Sequence, residues 1–147
     1  MKPRRLARIV CLQALYAMDT SSHDVRQAFA ERVAEEPLPP SASEFAQALL
    51  DNIARHLTTL DDVIRRIAPE WPTDQMGIID RNVLRIGVCE VLFGGDTPLK
   101  VAINEAIELA KTFGGDNSPR FVNGALGALA DRFNEFSQQV KAQNRPI

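Results

Sequence analysis

Two clusters of side chains in this chain carry charge and ring faces that a fold does not require. The first is Arg4, Arg5 and Arg8, at the start of an apolar helical stretch. Positive charge at a helix N-terminus opposes the helix dipole, at a cost of a few tenths to about 1 kcal/mol per group. Phosphates would supply the missing negative charge, and a guanidinium forks onto phosphate oxygens and stacks on bases. The second is Asn117, Arg120 and Phe121, in the segment GGDNSPRF. A cation and a flat ring beside a helix start are the parts used on single-stranded RNA, one for the backbone and one for a base. Each cluster also has a plain structural reading: a solvated basic terminus, a helix cap, and a phenylalanine that fills a core.

Catalytic chemistry is poorly represented. There are two histidines, His23 and His56, in different predicted helices, and His56 falls beside Arg55 on an expected exposed face. No metal-ligand spacing, nucleophile elbow or dinucleotide fingerprint occurs. The glycine pairs at 94–95 and 114–115 lack the Lys-Ser/Thr of a phosphate loop. Asn104, Glu105 and Glu108 crowd one helix, but surface pairs three and four residues apart, such as Glu108 with Lys111, account for them. The expectation is therefore a binding protein, with no enzyme activity, no metal and no cofactor. Cys11 and Cys89 lie in apolar helical stretches and read as reduced core residues rather than a disulfide.

The elements that position these residues are helices. From Lys100 to Phe113 the residues Val101, Ile103, Ala106, Ile107, Ala110 and Phe113 form one stripe. A second stripe follows from Phe121 through Leu129 to Phe133. Gly114-Gly115 stops the first of these helices, with a left-handed glycine as the expected device. Asp116, Asn117 or Ser118 caps the second, and Pro119 suits its first turn. Upstream, a first helix spans about Pro3 to Met18 and is apolar nearly all round from Ile9, with Gln13 and Tyr16 as its polar interruptions. A second runs from about Ser22 to Glu35, and EEPLPPSAS is a linker. A third opens on a Ser41-x-x-Glu44 capping box and buries Phe45, Leu49, Ile53 and Leu57. A fourth carries Leu60, Val63, Ile64 and Ile67. Trp71-Pro72 breaks the chain. A fifth runs from about Asp74 to Phe93, with Ile79, Val83, Ile86 and Leu92 inward. Phe-Gly-Gly-Asp occurs at 93–96 and again at 113–116, one stop-and-start device used twice.

At 147 residues and 45% apolar, the chain has the length of one domain with its own core. The expected fold is all-α, a single compact domain of about seven helices in two three-helix-bundle-like subdomains. Residues 1–138 are expected to form the domain and residues 139–147 a polar, flexible tail. No apolar run approaches a membrane span. The basic, then apolar N-terminus has the outline of a signal peptide but no small-residue cleavage site, so a cytoplasmic location is expected. Net charge is −2, yet four of the 17 basic residues and none of the 19 acidic ones lie in residues 1–18. A basic end on an acidic body favours a local anion site over a nonspecific coat.

Three ordered motifs resemble one family. VAINEAIELAKTFGGDNSPRFVNG, the N-terminal RRLARIVCLQALYAMD and the central DRNVLRIGVCEVL are similar to the signatures of the NusB family of bacterial transcription antitermination factors. The resemblance implies two helical subdomains and a surface that receives boxA-type RNA of ribosomal RNA operon leaders. The matching residues are Arg4, Arg5, Arg8, Gln13, Tyr16, Asn117, Arg120 and Phe121. It also implies a heterodimer with NusE, the ribosomal small-subunit protein, through Asp74, Asp80 and Arg81. That pair would work within an RNA polymerase antitermination complex; a homodimer stays open. Leu99 stands where many relatives carry an aromatic residue, and Asn117 replaces the acid common in that loop. Two other readings remain: the N-terminal RNA-binding module related to rRNA cytosine methyltransferases, and a helical protein-interaction module with no RNA role. The chain ends at residue 147 without a cofactor-binding α/β region, which weighs against the former.

Overall fold

The computed structural model describes residues 2–71 and 76–143. Among these residues every regular element is a helix: α1 Pro3–Ser21, α2 Val25–Glu35, α3 Pro40–Arg55, α4 Leu57–Ile67, α5 Ile78–Phe93, α6 Leu99–Phe113, α7 Ser118–Asp131 and α8 Phe133–Gln143. α1 packs on α2 and α3 in one half, and α5 on α6 and α7 in the other; α5 also touches α1, α3 and α4 and so joins the halves. Its position explains its sequence. Every residue from Asn82 to Glu90 is buried, as expected for a helix with neighbours on all sides. Ile79 and Leu92, at its ends, are only partly covered. None of the described helices is long and apolar enough to cross a membrane.

Several boundaries differ from the sequence reading, each for a local reason. α1 continues past Met18 and ends where Ser22 turns left-handed, with φ 55°; α2 then starts behind Asp24 rather than Ser22. The Ser41–Glu44 capping box does not form. α3 starts one residue earlier at Pro40, because proline's fixed φ already suits a first turn and needs no N–H partner. Leu57 belongs to α4, since His56 interrupts the helix with φ −115° and ψ 22°. His56 itself is half-buried and stacks on Phe93 at 4.0 Å and 6°, rather than facing solvent.

The last predicted helix is two. Arg132 breaks it, its N–H shared among the carbonyls of Ala128, Leu129 and Ala130. α8 then drops Phe136 into full burial and Val140 to 5% exposure. The Arg66 and Arg132 guanidiniums lie over the Phe136 ring at 4.6 and 4.8 Å. Residues 139–143 are thus helical and tethered, on the far side of the expected boundary at 138. Cys11 and Cys89 are buried free thiols, and burial pushes both thiol pKa values up.

Candidate nucleic-acid interface

The junction between α6 and α7 is built on close approach, not on left-handed glycine. Gly114 has φ −93° and ψ −175°, and no described glycine has positive φ. A Cβ at Gly114 would meet Ser118 Oγ at 2.5 Å and the Ala110 carbonyl oxygen at 2.8 Å, so only glycine lets the chain turn this tightly. Ser118 Oγ accepts the Gly115 N–H at 2.9 Å. Asn117 occupies the cap position without a side-chain cap bond, which leaves its amide pointing to no backbone donor. Asn117 and Arg120 are exposed; Phe121 is half-buried.

These residues edge a groove of 440 Å³ lined also by Trp71, Met76, Asp80 and Ser118. The Trp71 indole, 54% exposed, meets Phe121 edge-on at 6.4 Å and 80°. Two ring faces, an exposed guanidinium and a helix N-terminus therefore share one concavity. From sequence, Trp71 is legible only as a chain break. Its signal was a large apolar ring directly before a proline, where a helix cannot cover it.

Asp80, expected on a partner surface, lies in this same groove beside Asn117 and Arg120. Its Oδ1 is buried without a hydrogen-bond partner among the described residues. Arg81, the next residue, meets α1. Its guanidinium donates to Asp19 Oδ2 at 2.9 Å, and Asn82 and Arg85 donate to the same oxygen at 2.9 Å. Burial raises the Asp19 pKa, but bonds from Asn82 and Arg81 and the Arg85 charge outweigh it and hold the carboxyl below its ordinary range. Asp74 lies outside the described residues.

The N-terminal arginines are already paired. Arg8 is 2% exposed and donates from Nε and Nη2 to the two Glu90 oxygens at 2.7 Å each. Expected among the RNA contacts, it is instead a clamp between α1 and α5. Arg5 donates to both Glu105 oxygens at 3.0 and 3.2 Å. Arg4 forks onto Asp96 at 2.9 and 3.4 Å and lies over the Phe45 ring at 4.6 Å. The negative charge that the helix dipole calls for is thus present within the fold. Glu105, read from sequence as surface decoration, is one of these partners; the Lys111–Glu108 pair does form, at 3.4 Å. Gln13 Oε1 accepts from Arg32 Nε at 2.7 Å, so its amide is engaged inside the protein. Tyr16 is 45% exposed.

The two clusters flank one helix rather than meeting at a point. Arg5, Arg8 and Ile9 share a small hollow with Glu105, Glu108, Thr112 and Phe113 of α6. Phe113 directly precedes Gly114 and the α7 groove. α6 thus runs from the Arg4–Asp96 pair near its start to the Asn117–Arg120 edge beyond its end.

A family model described as the NusB family matches residues 5–131. The chain is 42% identical over 136 residues to the transcription antitermination protein NusB of Dehalococcoides mccartyi (strain ATCC BAA-2266 / KCTC 15142 / 195), covering 92% of this chain and 95% of that protein. It is 44% identical over 134 residues to the NusB of Roseiflexus sp. (strain RS-1), covering 90% and 94%. Among solved structures, T. maritima NusB superposes with a TM-score of 0.81 at 37% identity, covering 88% of this chain and 92% of that one. A structure of antitermination factors NusB and NusE in complex with dsRNA gives 0.81 at 29% identity, covering 89% and 98%.

Proposed function

The chain belongs to the NusB family, and on that premise we propose that it is an RNA-binding transcription antitermination factor. It holds boxA-type RNA of ribosomal RNA operon leaders together with NusE, acts within an RNA polymerase antitermination complex in the cytoplasm, and catalyses no reaction. Arg120 and Asn117 contact the RNA backbone, and the Phe121 and Trp71 faces receive a base. Arg4, Arg5 and Tyr16 extend the contact along α1. Arg8 positions α1, and Gln13 holds Arg32. NusE docks on the Asp80 side of the α7 groove, so RNA and partner meet along one rim. The observation that carries this reading is the exposed Asn117–Arg120 edge beside two aromatic rings at the start of α7.

The test is read-through. In a reconstituted transcription reaction, adding this chain with NusE is expected to raise passage through a terminator behind a boxA leader. Scrambling boxA should abolish the gain. Equal read-through from both templates would overturn the proposal.

Asn117 offers a local test. Asn117→Asp places a carboxylate at the α7 cap, where it suits the helix dipole but repels phosphate. RNA affinity is expected to fall about threefold at matched salt with thermal stability unchanged or slightly higher. Binding as tight as the parent's, by fluorescence anisotropy, would remove Asn117 from the interface.

A further inference from the structure

We propose that Asp96 and Glu105 act as internal stand-ins for RNA phosphate, pairing with Arg4 and Arg5 in the free protein and setting its affinity for RNA. The proposal rests on the RNA reading above. The three arginine–carboxylate pairs form a graded series. Arg8 and Glu90 are 2% and 3% exposed and bidentate, so that pair does not exchange. Arg5 is 40% exposed against a Glu105 at 13%. Arg4 and Asp96 are 47% and 74% exposed, which makes theirs a weak, screened surface pair.

The geometry suits exchange. Arg4 presents Nη1 and Nη2 together to the Asp96 carboxylate, the same fork it would offer two phosphate oxygens. Its guanidinium rests over the Phe45 ring, which holds the plane in place while the acceptor changes. Arg4 keeps Asp96 below the ordinary carboxylate range by donating to it, so the competing acceptor is charged throughout the physiological range. Glu105, by contrast, also lies 3.8 Å from Arg8 Nη1, so it keeps a cation when Arg5 leaves. RNA reaching Arg4 must displace Asp96 and then lie beside its charge. Asp96 therefore opposes binding more than Glu105 does.

The test uses the full chain and a single-stranded boxA-type RNA, read by fluorescence anisotropy at several salt concentrations. Asp96→Asn is expected to tighten binding about fivefold at low salt, with the gain shrinking as salt rises. Glu105→Gln should tighten it about twofold. Asp131→Asn, which removes the same charge from the C-terminal end of α7, should leave affinity unchanged. Circular dichroism melts verify that each variant folds, and Glu105→Gln carries the test if Asp96→Asn does not. Equal or weaker binding by the folded variants would overturn the proposal, because Asp96 would then be holding Arg4 ready for RNA. An equal gain from Asp131→Asn would overturn it too. Parent binding weakened by Arg4→Glu, with no gain from Asp96→Asn, removes this inference alone. Parent binding that Arg4→Glu leaves unchanged removes the part of the RNA reading at α1 and this inference with it.

Discussion

Replacing Arg8 with alanine is expected to destabilise the protein by about 3–5 kcal/mol, the cost of leaving one partner of a buried ion pair behind. Glu90, 3% exposed, would lose both 2.7 Å bonds while staying in the interior. A domain of this size is stable by roughly 5–15 kcal/mol, so the loss is about a fifth of the total or more. The double variant Arg8→Met with Glu90→Leu should recover most of it, because apolar groups of similar volume remove the stranded charge. Urea denaturation of the parent and the two variants measures this directly. RNA affinity per folded molecule should change little, since Arg8 is enclosed. A fully stable Arg8→Ala protein that had lost RNA binding would contradict the assignment of Arg8 as a clamp.

Arg120→Glu should do the opposite. Its side chain is exposed at the start of α7, so stability should stay within about 0.5 kcal/mol of the parent. RNA affinity should fall about tenfold or more near 0.1 M salt, and the slope of log K against log salt should flatten by about 0.7, the value for one phosphate contact on a single strand. Phe121→Ala would be a less clean probe. The ring is half-buried and packed edge-on against Trp71, so stacking and folding would be lost together. An Arg120→Glu protein with parental affinity and slope would leave the groove without a role in RNA binding.

Much of this was legible in the sequence, and what was not has a consistent cause. The α6–α7 junction announces itself because Gly114-Gly115, Ser118 and Pro119 are local signals between two apolar stripes. The buried character of α1 follows from its nearly all-apolar run after Ile9, and the carboxyl-rich face of α6 is visible as residue types. The partners of Arg4, Arg5 and Arg8 are not, because those pairs join residues 92, 100 and 82 positions apart, and no local pattern reports which carboxylate a helix end will meet. Negative charge is needed at the start of α1, as the helix dipole requires, and in the free protein Asp96, Glu105 and Glu90 supply it. The glycine reading failed in mechanism rather than in place. Gly114 is needed because Ser118 and Ala110 crowd it, and crowding is a tertiary fact. The α7–α8 break passed unmarked because Asp131-Arg132-Phe133 holds neither glycine nor proline. Trp71 is not legible as a groove wall for the same reason as Arg8's pairing: α7 supplies its neighbour from 50 residues downstream.

The central claim is that this helical domain grips RNA through exposed charge and ring faces at the ends of α6, and does so better beside NusE. The most direct measurement is a titration of boxA-type RNA into the chain, alone and with NusE, over a salt series. The account predicts an affinity that falls linearly in log K against log salt, tightens when NusE is present, and drops with Arg120→Glu in both cases. Absent binding, or binding indifferent to salt, to NusE and to Arg120, would contradict it.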